Sequence, residues 1–200
     1  MARQKLIAAP IAAPIAALCA ALLTAGAARA DLLLEQAAGR YVIEPGRSKI
    51  AFSVAQVGGG GIKGVFRAFS GSFEIDRRDI ARSKVSISVD PGSVDTGAER
   101  VDAFIRGKAV FDAARRPPVT FRTTKVTRTG QDSARIDGQL NARGIDRPAS
   151  FDIQLVQRKG RRITFRVTGT IRRAPYDMQI GYPIYSNKVK FEMVFTGRRG

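Results

Sequence analysis

The sequence predicts an all-β protein, an antiparallel sheet wrapped around a single apolar interior. Three observations predict it. Apolar residues recur at every second position in short runs, such as Ile50-Phe52-Val54, Val85-Ile87-Val89, Phe151-Ile153-Leu155, Ile163-Phe165-Val167 and Val189-Phe191-Met193-Phe195. Successive strand side chains point to opposite faces, so each run is a strip that is apolar on one side and polar on the other. Gly, Pro, Asp or Asn breaks the runs, and only one segment carries helical spacing. No coiled-coil repeat, linker or low-complexity tract divides the chain after residue 30.

Residues 1–30 read as a secretory leader. Arg3 and Lys5 form a positive start, Ile7 to Ala25 is almost wholly Ala, Leu and Ile, and Ala28-Arg29-Ala30 offers small residues where a signal peptidase cuts. The expected cleavage is at Ala30/Asp31, which places the protein in the periplasm and leaves residues 31–200 as one domain. A retained anchor is the competing reading. Pro10 and Pro14 interrupt the stretch and no stop-transfer flank follows, which favours cleavage. Leu18 is larger than lipoprotein processing accepts before a cysteine, so Cys19 belongs to the discarded segment.

Residues 31–40 read as a loose arm. Tyr41 to Ala55 is the first strand, with Pro45-Gly46 as a kink inside it. Gly58 to Gly61 make a turn, and Val65 to Ile75 is the second strand, its apolar face assigned to Val65, Phe69, Phe73 and Ile75. Ser83 to Asp90 is the third. Thr96 and Glu99 have capping-box spacing before Val101, Phe104 and Ile105, and Asp102 and Arg106 stand at i,i+4, which predicts a short helix ending at Gly107. Strands follow at Val119–Thr123, Ala134–Leu140, Arg147–Gln157, Arg162–Ile171 and Lys188–Thr196, making eight. Ala174 to Ser186 holds two prolines and three tyrosines and reads as a long ordered loop.

The chain has 34 Lys and Arg against 17 Asp and Glu, no His and one Cys. Three of the basic residues and none of the acidic ones lie in the leader, so 31 oppose 17 after it, an excess of +14. Arginine doublets such as Arg77-Arg78, Arg161-Arg162 and Arg198-Arg199 dominate this charge, which steers anionic partners toward the protein. The doublets fall mostly at strand ends without aromatic residues to stack bases, so nucleic acid is not expected and the surface reads chiefly as solvated. An anionic membrane surface is the charged partner an exported chain would meet.

The chemistry-bearing residues are few. Gly59-Gly60-Gly61-Ile62-Lys63-Gly64 has dinucleotide-loop spacing, but Val65 to Phe69 is strand-like where that motif needs a helix. Without His, and without Cys after the leader, the commonest metal ligands and general bases are missing. No acidic run has a Ca²⁺-loop pattern, and no G-x-S-x-G or S-x-x-K motif is present. The residues name no catalytic group, no metal ligand and no cofactor.

Several motifs in order resemble the YceI-like family. They are Tyr41-Val42-Ile43-Glu44-Pro45 with Ser48, Ile50 and Phe52; Gly64, Phe66, Phe69 and Gly71; Ser93-Val94-Asp95-Thr96-Gly97; Asp102 to Asp112 with Pro117 and Phe121; Gly138, Leu140, Gly144 and Pro148; and Arg172-Arg173 before Tyr176. The resemblance spans roughly Gly39 to Phe195. It implies an eight-stranded antiparallel, lipocalin-like barrel with one short helix between strands 3 and 4, in the bacterial periplasm. It also implies an elongated apolar pocket for isoprenoid chains such as polyprenyl lipids or quinone tails. The chain departs from the family pattern at Gln56 and Phe104, where His is expected, and at Met178, where Gly is more usual.

An eight-stranded barrel can be filled by its side chains or hold one small ligand. The expected lumen residues are Phe52, Val54, Phe69, Phe73, Ile87, Phe104, Phe121, Phe151, Ile153, Phe165, Phe191 and Met193. Arg106, Tyr176 and Tyr182 are expected at the rim. Gly71, Gly138 and Gly169 fall in phase with inward positions and leave space among the phenylalanines. The leading expectation is a periplasmic protein holding an isoprenoid or other long-chain lipid. The alternative is a packed barrel that displays its basic surface to anionic lipid or polysaccharide. The oligomeric state stays open, a homodimer included.

Overall fold

A computed structural model of the protein describes residues 33–200, and the expected leader with its expected Ala30/Asp31 cleavage site lies outside the described residues. Eleven strands form one sheet: β1 (Gly39–Ile43), β2 (Lys49–Gln56), β3 (Gly61–Phe66), β4 (Phe69–Ile75), β5 (Lys84–Val89), β6 (Val94–Asp95), β7 (Val119–Arg128), β8 (Ser133–Ala142), β9 (Ile145–Lys159), β10 (Arg162–Arg172) and β11 (Tyr185–Arg199). Every pairing is antiparallel. The order β1-β4-β5-β7-β8-β9-β10-β11 closes on itself through β1 and β11, giving an eight-stranded barrel. Closure removes the unpaired edges that an open sheet would expose.

The eleven strands are eight staves, three of them broken, β1/β2, β3/β4 and β5/β6, the last by a 3₁₀ turn at Pro91–Ser93. β1 and β2 both pair with β11 and are separated by a 3₁₀ turn at Pro45–Arg47. β3 pairs with β2 and β4 with β1, with Arg67-Ala68 between them. Each of the first two breaks shifts the inward set by one residue. Tyr41 and Ile43 face in before the first break, and Ile50 and Phe52 after it; Phe66 faces in before the second, and Phe73 and Ile75 after it. The expectation that Val65 shares a face with Phe73 fails for this reason. Ser48 repairs the first break: its hydroxyl donates to the Glu44 carbonyl at 2.8 Å and accepts from the Thr196 N–H at 3.0 Å. Glu44 itself receives a two-bond contact from Arg162, at 2.7 and 3.1 Å, which holds the carboxyl below its ordinary pKa.

Residues 34–37 are not a loose arm. They form a 3₁₀ turn whose Leu34 and Ala37 are buried, plugging one end of the barrel. Leu34 N–H donates to the Gln131 carbonyl at 3.1 Å, and the Tyr41 hydroxyl donates to the Ala37 carbonyl at 2.9 Å. At the other end lies the helix α1 (Glu99–Arg106), where the sequence placed it, but not capped as expected. The Thr96 N–H and hydroxyl both donate to the buried Asp102, at 2.8 and 2.6 Å, while Glu99 pairs with Arg106. Asp102 therefore ties the helix to the chain entering it and does not pair with Arg106.

The outward positions of β11 include Lys188, Lys190, Glu192 and Arg198, all exposed. A barrel crossing a bilayer carries an apolar band on that face; this outer wall suits water.

Candidate functional site: the barrel lumen

The inward strips do not fill the barrel. They enclose a cavity of about 300 Å³ that runs from Leu34 at the plugged end to Phe104, Ile180 and Tyr185 at the other. An engineered apolar cavity of about 150 Å³ takes up benzene, and small-molecule sites begin near 300 Å³. The space is therefore on the scale of a ligand site.

Glycine and phenylalanine together keep it open. Phe151 and Gly169 are direct cross-strand partners, and a β-carbon on Gly169 would lie 2.4 Å from the Phe151 ring. Gly64 and Phe52 repeat this cross-strand pairing at 2.8 Å, and the rings of Phe121 and Phe73 reach Gly138 and Gly197 from other register positions, at 2.6 and 2.3 Å. The glycines do not leave empty space themselves. They let neighbouring rings lie down against the wall, a device that also covers the weak glycine backbone. At Gly71 and Gly138 the missing side chain also admits a main-chain carbonyl, of Ser86 and Arg122. The rings then brace one another edge to face, with Phe121–Phe151 centroids 5.2 Å apart, Phe151–Phe191 6.4 Å and Phe73–Phe165 5.5 Å. Such pairs contribute roughly 0.5–1.5 kcal/mol each beyond their burial.

Of the expected lumen residues, Phe52, Val54, Phe73, Ile87, Phe104, Phe121, Phe151, Ile153, Phe165, Phe191 and Met193 line the cavity. Phe69 does not. It follows the second strand break and packs edge to face on Phe195, 6.1 Å between centroids. The expected rim residues separate. Tyr176 is buried and lines the wall, because the 3₁₀ turn Ala174–Tyr176 folds it inward. Arg106 is bound to Glu99 and Tyr182 is largely exposed, and neither lines the cavity. Gln56 is exposed, whereas Met178 is buried against the lumen.

Reading the sequence missed Phe66, Ile62, Val110, Phe111, Ile136 and Ile180 as lining residues. Ile62 and Phe66 alternate in phase with Gly64, a signal that was available. Val110, Phe111 and Ile180 come from irregular segments, where periodicity carries no information.

The lumen offers little polar chemistry. Glu74 pairs with Arg40 at 3.2 Å, and the Ser83 hydroxyl accepts from the Asp76 N–H at 3.0 Å. Burial pushes the Tyr176 phenol up to about 12. Arg173 is buried and donates to the carbonyls of Ser186, Ile180 and Tyr185 at 2.9, 2.8 and 3.0 Å, and to that of Met178. Desolvation lowers its pKa from the ordinary guanidinium value. Its charge is thus spent on the loop between β10 and β11. A polar cleft of about 330 Å³ outside the plugged end is lined by Gln36, Tyr41, Arg158, Gly160 and Arg199. Its guanidinium groups likewise donate to main-chain carbonyls, of Gln36 and Ala38.

Comparison with known proteins agrees with this architecture. A UPF0312 protein of Vibrio parahaemolyticus is 32% identical over 147 residues, covering 70% of this chain and 78% of its own. A UPF0312 protein of Vibrio campbellii is 35% identical over 118 residues, 58% of this chain and 62% of its own. Among solved structures, BcnA of Burkholderia cenocepacia superposes with a TM-score of 0.71 at 22% identity, covering 77% of this chain and 98% of that one. A polyisoprenoid binding domain from Saccharophagus degradans, implicated in plant cell wall breakdown, gives 0.65 at 16% identity, covering 80% and 98%. A YceI protein of Campylobacter jejuni gives 0.59 at 21%, covering 70% and 87%. The family model of the YceI-like domain matches residues 41–196, so the chain belongs to the YceI-like family.

Proposed function

We propose that this is a periplasmic lipid-binding protein that holds a long isoprenoid chain, a polyprenyl lipid or quinone tail, in the barrel lumen. The observation that carries the reading is the cavity of about 300 Å³ walled by apolar side chains, with Glu74, Ser83 and Arg173 among its few polar groups already engaged. Such a wall rewards hydrocarbon and little else, each buried CH₂ contributing about 0.8 kcal/mol. The polyisoprenoid-binding domain of Saccharophagus degradans, built on the same fold, supports the choice of ligand class. The leader at residues 1–30 supports the compartment. The protein acts as a carrier or shield, with no catalytic step.

Uptake of a polyprenyl or quinone ligand by the purified protein tests the reading, followed at low and physiological ionic strength. Occupancy of an apolar lumen changes little with salt, whereas binding of anionic lipid or polysaccharide to the basic surface collapses. Failure to take up any such ligand, with binding only to anionic surfaces at low salt, overturns the proposal in favour of the surface reading.

A further inference from the structure

The mouth of the lumen wears an apolar collar that the fold does not need. Val57 is 74% exposed, Tyr182 65%, Ile184 58%, and Phe104 and Ile180 49% each. Single exposed hydrophobics are ordinary, but a contiguous set marks a contact surface. These five come from three segments that meet. The Val57 N–H donates to the Ile184 carbonyl at 2.9 Å, joining the β2–β3 turn to the loop before β11. Phe104 of α1 and Ile180 of that loop both line the cavity, so the collar continues into the lumen. The other large exposed hydrophobics, Val42, Val156 and Val194, lie on strands away from this end.

The charges beside the collar have one predominant sign. Lys63, Lys108, Arg172 and Lys188 are exposed and form no ion pair among the described residues. Of the acids at this end, Glu99 is paired with Arg106, Asp95 with Arg67 and Asp112 with Arg115 and Arg116, while Asp146 and Asp177 form no ion pair among the described residues. The cavity is about twice the volume that takes up one benzene. An isoprenoid of more than a few units therefore extends through the mouth, where its remainder needs cover from water.

We infer that the mouth is a membrane-docking face, seated on an anionic lipid bilayer so that the ligand's chain passes between lumen and acyl layer without crossing water. The collar enters the interface, Tyr182 sits at headgroup level, and the four cations meet lipid phosphates. This rests on the reading of the lumen as a lipid site.

The test is binding to vesicles of phosphatidylcholine mixed with phosphatidylglycerol, against phosphatidylcholine alone. The full-length exported protein is used, and the variants alter collar residues that do not line the lumen. Val57→Ser/Tyr182→Ser/Ile184→Ser lowers partitioning onto anionic vesicles at least tenfold while ligand uptake is unchanged, and Lys63→Gln/Lys188→Gln lowers it several-fold and flattens its salt dependence. The chain has no Trp, so Ile184→Trp introduces a sole indole, whose emission shifts to the blue and is quenched by brominated acyl chains. Protein that takes up ligand yet leaves this indole unquenched overturns the docking face and leaves the lumen reading standing. Partitioning that the triple variant does not change overturns it as well. So does a dimer that the triple variant splits, since the collar is then a contact between copies. Loss of ligand uptake by the unaltered protein overturns instead the lumen reading on which the inference rests.

Discussion

The Phe151 ring lies over Gly169, its direct partner across β9 and β10, and occupies the space that a β-carbon would need. That relationship decides whether the barrel is packed or hollow. A ring stood upright from the wall would reach into the lumen, while one laid over glycine widens it. Gly169→Ala is therefore expected to lift the ring, destabilise the fold by about 1–3 kcal/mol as overpacking does, and reduce ligand uptake. Urea unfolding and uptake by the same variant check both effects. A variant of unchanged stability and capacity contradicts this account of the wall.

Arg173 governs the loop between β10 and β11. Its guanidinium donates to four main-chain carbonyls, of Met178, Ile180, Tyr185 and Ser186. Arg173→Met keeps much of the stem but leaves those carbonyls unmet, a loss on the order of 3 kcal/mol. Hydrogen exchange is expected to accelerate across residues 178–186 well before it does in β9 or β10.

The cap of α1 gives a local prediction. Asp102→Ala removes both bonds from Thr96 and costs about 1–2 kcal/mol, while Glu99→Ala, whose side chain is exposed, changes stability far less. Thermal unfolding of the two variants side by side distinguishes this cap from the capping box that the sequence suggests.

Tyr176 makes stability depend on alkaline pH. Its ordinary pKa of 10.0 is raised to about 12 by burial, so between these values the unfolded chain ionises and the folded one does not. The contribution is intact below pH 10 and is lost as pH rises toward 12. Tyr176→Phe is expected to flatten stability across this window relative to the unaltered protein. In phenolate absorbance, Tyr176→Phe removes a late-titrating component.

How much of this was legible in the sequence depended on regularity. The alternating runs at Val85–Val89, Phe151–Leu155 and Val189–Phe195 placed their inward residues correctly because a strand's period is two. Phase was lost where a stave breaks. Pro45-Gly46 announced the first break, but Arg67-Ala68 carries no turn signal, so Val65 was set on the face of Phe73 and Phe66 was overlooked, while Phe69 keeps the phase of Phe73 and packs on Phe195 instead of lining the cavity. Tyr176, Ile180 and Phe111 sit in irregular segments whose direction is set by tertiary contacts, those of Arg173 around Ile180 and those of Arg143 beside Phe111. Inward glycines were visible in the sequence, yet only the structure shows that the phenyl rings, and not empty space, lie over them.

Native mass spectrometry of the protein exported by a bacterium tests the central claim most directly. The account predicts one long apolar isoprenoid lipid per chain, retained at physiological salt and diminished when Ile87→Phe/Ile153→Phe narrows the cavity that both residues line. Protein that is consistently empty, or whose bound lipid is unaffected by narrowing of the lumen, contradicts it.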